Sequence, residues 1–383
     1  MFLDGFAYQE NELAEMHAKL GHDVIVITSE NVTSSLNIDA FWLKVPKVSS
    51  EENRKVGYKI IRLQVKNKIN FRFWKLKYLY KTLCDIKPDL IFFHEMSFLS
   101  LLDAVEYKKK NPRVKLVVDS HSDYCNSGQW FLSKYILHKC IYRKLMQKAY
   151  RYIDVCYYIT PNVKSFIQNM YLISGTKLKL LPLGGSLENM NEDADIIRSE
   201  LRSKLNIPQN AIVIVSGGKL DSKKQTHRLV EAFNHLKYSN VYLIIFGAAD
   251  RKYAKTLDAV IDNNDKVHLI GWIDSKTVYK YFLASDIACF PGGQSVLWQQ
   301  AICCGLPLVV KDWHKEMNYL NIKENVFLLK DSDTIYIEEA LQKLIDDSSL
   351  LNIMKINART FGREFFSYKR IAQSIIDDVE LSV

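Results

Sequence analysis

Twelve apolar, β-branched runs alternate with helical patterns along this 383-residue chain, and that alternation narrows what it can fold into. Six runs, at 22–28, 59–64, 90–94, 115–119, 154–160 and 177–181, fill the first half. Six more follow at 211–216, 241–246, 267–270, 287–290, 308–310 and 326–329. Strands separated by helices form βα units, and βα units assemble parallel sheets covered by helices. Two such series of about 180 residues each predict two Rossmann-like domains, residues 1–183 and 184–366. The length suffices for two large cores, and 48% hydrophobic residues is ordinary globular content. Glycines at 184 and 185 mark a hinge within 183–188, and 367–379 reads as a terminal amphipathic helix.

The segment PGGQSVLWQQAICCGLPLVV (291–310) follows one of these strands. It reads as a glycine turn, a helix opening at Ser295 and closing at Cys304-Gly305, then another strand. Free N–H groups and the positive end of a helix dipole there form an anion site, around Gly293, Ser295 and Val296. In an open parallel sheet such a site lies at the carboxyl ends of the strands, where ligands bind. About 75 residues upstream, an apolar run (AIVIVSGG) ends at Gly217-Gly218 and Lys219 to Lys224 follow, ahead of a helix at 226–235. Two lysines five apart on a strand-end loop are placed to reach one diphosphate, each as a point charge on a flexible stem.

GGKLDSKKQTHRLVEAF resembles the G-R-L-x-x-x-K-G segment of retaining GT-B glycosyltransferases of the family 4, or group 1, type. Lys219 stands where that family has Arg, and Lys224 stands at its Lys. HLIGWIDSKTVYKYFLASDIACFPGG and QAICCGLPLVV are similar to the next two blocks of the family. ENELAEMHAKLGHDVIVITSE, KPDLIFFHE, LVVDSHSD and LKLLPLGGS match its amino-terminal half and linker, in order. The resemblance implies a GT-B fold, two Rossmann-like domains with parallel sheets facing a central cleft. It also implies that 367–383 crosses back to the first domain.

Two departures stand out. The family carries two glutamates separated by seven residues; here Gly292 and Gln300 occupy those positions. Gln300 can hydrogen-bond a sugar hydroxyl but supplies no charge. The chain also opens at Met1-Phe2-Leu3-Asp4-Gly5, inside the family's first glycine loop, so the first strand of the amino-terminal domain is expected to be missing. A central parallel strand is buried on both faces, and its loss should destabilise.

By resemblance, Lys219, Lys224, Gly218 and the amides near Gly293, Ser295 and Val296 hold the diphosphate of a UDP- or GDP-sugar. Gly271, Trp272 and Ile273 lie at the nucleotide base. Gly5, Tyr8, His94 and His121 line the acceptor side, with His121 the best catalytic candidate; Asp119 and Asp123 flank it. Strand-end loops are where such side chains collect. The implied reaction is sugar transfer with retention to a lipid-linked or saccharide acceptor, in capsule, lipopolysaccharide or other surface polysaccharide synthesis. No metal and no cofactor are expected, since no metal-ligand spacing and no DxD motif near a strand end is present. A catalytically inactive GT-B partner subunit is the alternative, fed by Gly292 and Gln300; a sugar-nucleotide epimerase of the same fold is a third.

Seven scattered cysteines without a CxxC pattern read as thiols of a reducing compartment. Neither a signal peptide nor a ~20-residue apolar span is read, so the expected place is cytoplasmic, peripheral on the inner face of the membrane. The net charge of +9 is uneven. Residues 53–84 hold ten Lys or Arg and no acid, interleaved with aromatics, and a second basic and aromatic tract runs over 130–151. Such tracts suit an anionic membrane surface at roughly 1 kcal/mol per well-placed cation. Nucleic acid is the rival, but no nucleic-acid motif accompanies the charge.

Overall fold

The computed structural model describes residues 8–29, 57–66, 75–127, 129–187 and 193–380. The chain divides into two units, Met1–Pro182 with Ile371–Val383, and Leu183–Arg370. The opening Met1 to Gly5, on which the expectation of a missing first strand rests, lies outside the described residues, as do residues 53–56 and 67–74 of the first basic tract.

In the first unit a helix (Gln9–Lys19) precedes β1 (Ile25–Ser29), which pairs in parallel with β2 (Lys59–Leu63). A short antiparallel pair, β3 (Val65–Lys66) and β4 (Lys75–Leu76), follows. Four parallel strands then lie in chain order: β5 (Leu90–Phe93), β6 (Lys115–Ser120), β7 (Val155–Tyr158) and β8 (Leu178–Leu180). Leu116, Val117, Val118, Val155 and Cys156 are buried, as a strand covered on both faces requires. The terminal helix Tyr368–Glu380 is anchored in this unit by Asp378, which accepts from Tyr157 Oη at 2.9 Å and Lys179 Nζ at 2.6 Å.

The second unit holds one six-stranded parallel sheet in the order β11-β10-β9-β12-β13-β14. The strands are β9 (Ile212–Leu220), β10 (Val241–Ala249), β11 (Val267–Gly271), β12 (Ile287–Phe290), β13 (Leu308–Lys311) and β14 (Val326–Leu329). Val213 and Val215 of β9 pack into one core layer and Ile214 into the other, the period-two alternation of a strand between two helical layers. Aspartates start two of the covering helices: Asp250 accepts from Lys252 and Tyr253 N–H, Asp274 from Lys276 and Thr277 N–H. Four of the seven cysteines are buried, and all seven are free. Among the described residues no helix is long and apolar enough to cross a membrane.

Two local readings change. Gly217 and Gly218 do not leave the sheet: β9 continues to Leu220, with Gly217 opposite Phe246 of β10. A Cβ on Gly217 would lie 2.4 Å from the Phe246 ring, so the glycine is there for that approach. The helix after the glycine turn spans Leu297–Cys303 rather than starting at Ser295. The Ser295 hydroxyl accepts from Leu297 N–H at 3.4 Å, holding that residue in the turn before the helix.

Candidate active site

Strand order reverses beside β9, which has β10 on one side and β12 on the other. Ligands of open parallel sheets bind at the carboxyl ends of strands at such a point. Gly218 to Leu220 form the carboxyl end of β9 there, and residues 291–296 leave β12. Gly218, at φ +105°, would place a Cβ 3.0 Å from Leu297 Cδ1, so the end of β9 abuts the helix that follows the turn.

The turn is held by its carbonyls. Ser332 Oγ donates to Pro291 O at 2.5 Å and Trp313 Nε1 to Gly292 O at 3.1 Å. Lys224 Nζ donates to Gly293 O at 2.8 Å and Gln294 O at 2.6 Å. Gly293 N–H returns to Lys223 O at 2.9 Å. Four consecutive carbonyls are thereby turned toward protein donors. Among the described residues the N–H groups of Gln294, Ser295 and Val296 have no hydrogen-bond acceptor.

Burial lowers the Lys224 pKa to about 8, and Lys219 adds to the fall while Asp221 opposes it. Lys219 is itself exposed and 3.6 Å from Asp221. The structure thus brings Gly218, Lys224, Gly293, Ser295 and Val296 together, with Lys219 exposed and paired to Asp221. Gln300 lies buried on the helix. Gly271, at φ +80°, ends β11, two strands from β9; Trp272 is exposed and Ile273 packs on the core. Trp313 and Ser332, which set the turn, are the residues that sequence reasoning missed. They lie 21 and 41 positions from their acceptors, with no local pattern to flag them.

In the first unit the strand-end side chains converge on Asp119, which is fully buried. Its Oδ2 accepts from His94 Nδ1 at 2.8 Å and His121 Nε2 at 3.3 Å, and its Oδ1 from Glu95 N–H at 2.7 Å. The two imidazoles are 4.5 Å apart, centroid to centroid. Glu95, at φ +66°, turns its carboxylate onto Ser97 and the His121 N–H. Glu10 lies 3.5 Å from His94 Nε2. Asp123 accepts from the N–H groups of Cys125 and Asn126 and so shapes the loop. Tyr8 precedes the first helix, where its carbonyl accepts from Asn11 and Glu12.

Parallel pairing of β5 with β6 brings His94 beside Asp119, which makes His94 the tighter partner of the two histidines. Burial alone would lower the His94 pKa, but the Asp119 carboxylate, with Glu10 behind it, raises it to about 8. The imidazoles in turn hold Asp119 well below the usual carboxylate range. His94, Asp119 and His121 place three potential metal-ligand atoms within 4.8 Å of one another. In this arrangement Asp119 Oδ2 accepts from both rings, so a cation would have to displace two hydrogen bonds.

Asp119→Asn should therefore cost stability in a pH-dependent way. The imidazolium–carboxylate attraction is present above about pH 4, where the unfolded Asp ionises. It is full below about 6.5 and fades as pH rises through the His94 value of about 8. A rise from 6.5 to about 8 corresponds to about 2 kcal/mol. Urea unfolding of both proteins from pH 5 to 9 should show the deficit near pH 6 and shrinking by pH 9. A deficit that is constant with pH would show that charge is not the cause.

Residues 6–188 match the family model described as Glycosyltransferase Family 4, and residues 197–361 match Glycosyl transferases group 1. An uncharacterized glycosyltransferase of Methanocaldococcus jannaschii, MJ1069, is 25% identical over 359 residues, 87% of each chain. A solved glycosyltransferase of Rickettsia africae superposes with a TM-score of 0.72 at 15% identity, covering 100% of this chain and 96% of that one. HepE of Anabaena, solved in complex with UDP and glucose, gives 0.68 at 16% identity, with coverage of 99% and 98%. The fold is that of GT-B glycosyltransferases.

Proposed function

From the premise that family models on both halves support a group 1 glycosyltransferase, we propose that this protein transfers a hexosyl group from a nucleotide-diphosphate sugar. The acceptor is a lipid-linked or saccharide hydroxyl, and the anomeric configuration is retained. The observation that carries the reading is Lys224, strapped to the carbonyls of Gly293 and Gln294 at the switch point of the sheet. That strap ties down the turn that carries the amides of Gln294, Ser295 and Val296 and leaves a cation beside them.

A diphosphate on those amides is met by Lys224 and the exposed Lys219. As the sugar C1–O bond to the distal phosphate breaks, negative charge grows on the leaving diphosphate. The new C1–O bond forms to the acceptor hydroxyl, whose proton is released. Fixed donors and cations at the leaving group stabilise the transition state more than the ground state. No step uses a metal. Trp272, exposed beside Gly271, offers a face for the base. HepE was solved with UDP, which makes a uridine donor the first to test here. The setting that fits is bacterial surface polysaccharide synthesis.

Calorimetric titration with UDP, GDP, ADP and CMP, without metal, tests the site. One nucleotide should bind at micromolar Kd, and the Lys219→Ala/Lys224→Ala protein should lose at least 100-fold in affinity. Absence of binding to any nucleotide by folded protein refutes the donor site. Binding without transfer to any acceptor favours the inactive-partner reading, for which the missing carboxylates at Gly292 and Gln300 speak. An epimerised donor would point to the third.

A further inference from the structure

The carboxyl ends of β5 and β6 in the first unit bring together two imidazoles and a carboxylate. His94 and Asp119 are 25 positions apart in the chain, so no ligand spacing shows in the sequence. The parallel pairing of Phe93 with Val118 sets them side by side. Asp119 Oδ2 is 2.8 Å from His94 Nδ1 and 3.3 Å from His121 Nε2. One donor atom from each of the three residues lies within 4.8 Å of the other two. Donors at the bond lengths of a tetrahedral zinc ion are about 3.3 Å from one another. The cluster therefore already has the size of a zinc shell. Two imidazoles and one carboxylate, with a fourth position open, form a ligand set that suits this ion.

The outer contacts hold these donors in place. Asp119 is fully buried, and its Oδ1 accepts from Glu95 N–H at 2.7 Å, which leaves Oδ2 facing the rings. Glu95, with its left-handed backbone, accepts from His121 N–H at 2.9 Å through Oε2. Behind His94, Glu10 Oε2 lies 3.5 Å from Nε2. A carboxylate in that place keeps the ring proton on Nε2 and frees Nδ1 for a metal. Among the described residues no Lys or Arg pairs with Asp119 or Glu95, so no fixed side-chain cation competes for these carboxylates. The His94 and His121 side chains are 23% and 27% exposed against 0% for Asp119, which opens the fourth position to solvent.

We propose that His94, Asp119 and His121 bind one divalent ion of the zinc class, the fourth position being left to water or a ligand. The two hydrogen bonds that the ion displaces are exchanged for metal bonds from the same donor atoms. The His94 ring then keeps its proton on Nε2 and the His121 ring on Nδ1, and any further proton leaves to solvent. Two nitrogen donors among three turn the site away from magnesium and calcium, which take oxygen. A bound ion holds both imidazoles, so occupation and proton transfer by His121 exclude each other. The site takes no part in the chemistry proposed above, and the inference does not rest on the transferase reading.

Calorimetric titration of the full chain with ZnCl₂, with MgCl₂ as the contrast, tests it alongside Co²⁺ absorption. One Zn²⁺ should bind at micromolar Kd, and Mg²⁺ at least 100-fold more weakly. Co²⁺ should give the intense visible bands of a four-coordinate ion without thiolate charge-transfer absorption, which separates this site from the exposed Cys125 and Cys140. His94→Ala, His121→Ala and Asp119→Asn should each lose at least tenfold in Zn²⁺ affinity. His121→Ala is decisive, because its ring makes the longer bond to Asp119 and its removal disturbs the fold least. Parental Zn²⁺ affinity in folded His121→Ala, cobalt bands of thiolate character, or no Zn²⁺ binding by the folded parent would each overturn the site.

Discussion

Replacing Lys224 with alanine is expected to lower sugar transfer at least 100-fold. Two losses combine. The cation facing the diphosphate disappears, and removing one preorganised donor at a developing charge costs about 2.7–4 kcal/mol. The carbonyls of Gly293 and Gln294 also lose their shared donor, so the turn that aims the amides is released. Lys224→Met, which keeps the apolar stem, separates packing from charge: it should fold like the parent and still lose turnover. The pH profile carries the same signature. Because burial has brought Lys224 to about pH 8, nucleotide affinity should fall about tenfold per pH unit above that value. Lys219 contributes to the lowered value, so Lys219→Ala should move the break upward. For stability the sign is opposite. Between about pH 8 and 10.5 the unfolded chain keeps the proton that the folded chain has lost, so stability gains as pH rises there. Parental turnover in Lys224→Ala would remove this lysine from the mechanism.

Much of this was legible because strands and helices leave periodic marks. The helix Thr226–His235 and the strands Ile287–Phe290 and Val326–Leu329 stand where the apolar pattern places them. Gly217-Gly218 misled at short range. Two glycines after an apolar run read as a turn, yet one of them makes room inside the sheet for the Phe246 ring, a partner 29 residues on. The Asp119 cluster was half legible. His94, Asp119 and His121 each sit at a strand end, but which histidine is held more tightly depends on the register of β5 against β6. Pairing across a parallel sheet leaves no spacing in the sequence, because the crossover between the strands sets the separation. Trp313 and Ser332 were invisible for the same reason.

Restoring the family's first glutamate, as Gly292→Glu, is expected to destroy the donor site rather than improve it. From sequence, Gly292 looks like a lost carboxylate. In the fold it is a space requirement: a Cβ there would lie 2.2 Å from the Lys224 carbonyl carbon and 2.4 Å from Lys223 O, both backbone. Backbone cannot step aside as a side-chain tip can, so the loop carrying Lys223 and Lys224 must move. Gly292 O accepts from Trp313 and Gly293 N–H bonds Lys223 O, so those contacts would strain together. Overpacking of this kind costs about 3 kcal/mol. For a unit of this size that is a fall of roughly 6–12 °C in Tm. Gly293→Ala is the control one residue on, because its Cβ would meet Lys223 O at an ordinary 3.7 Å. It should melt within about 2 °C of the parent, while Gly292→Glu melts early and loses nucleotide binding. Equal Tm for the two would mean that the loop relaxes freely. Gly292 would then be a lost carboxylate after all, and the inactive-partner reading would gain.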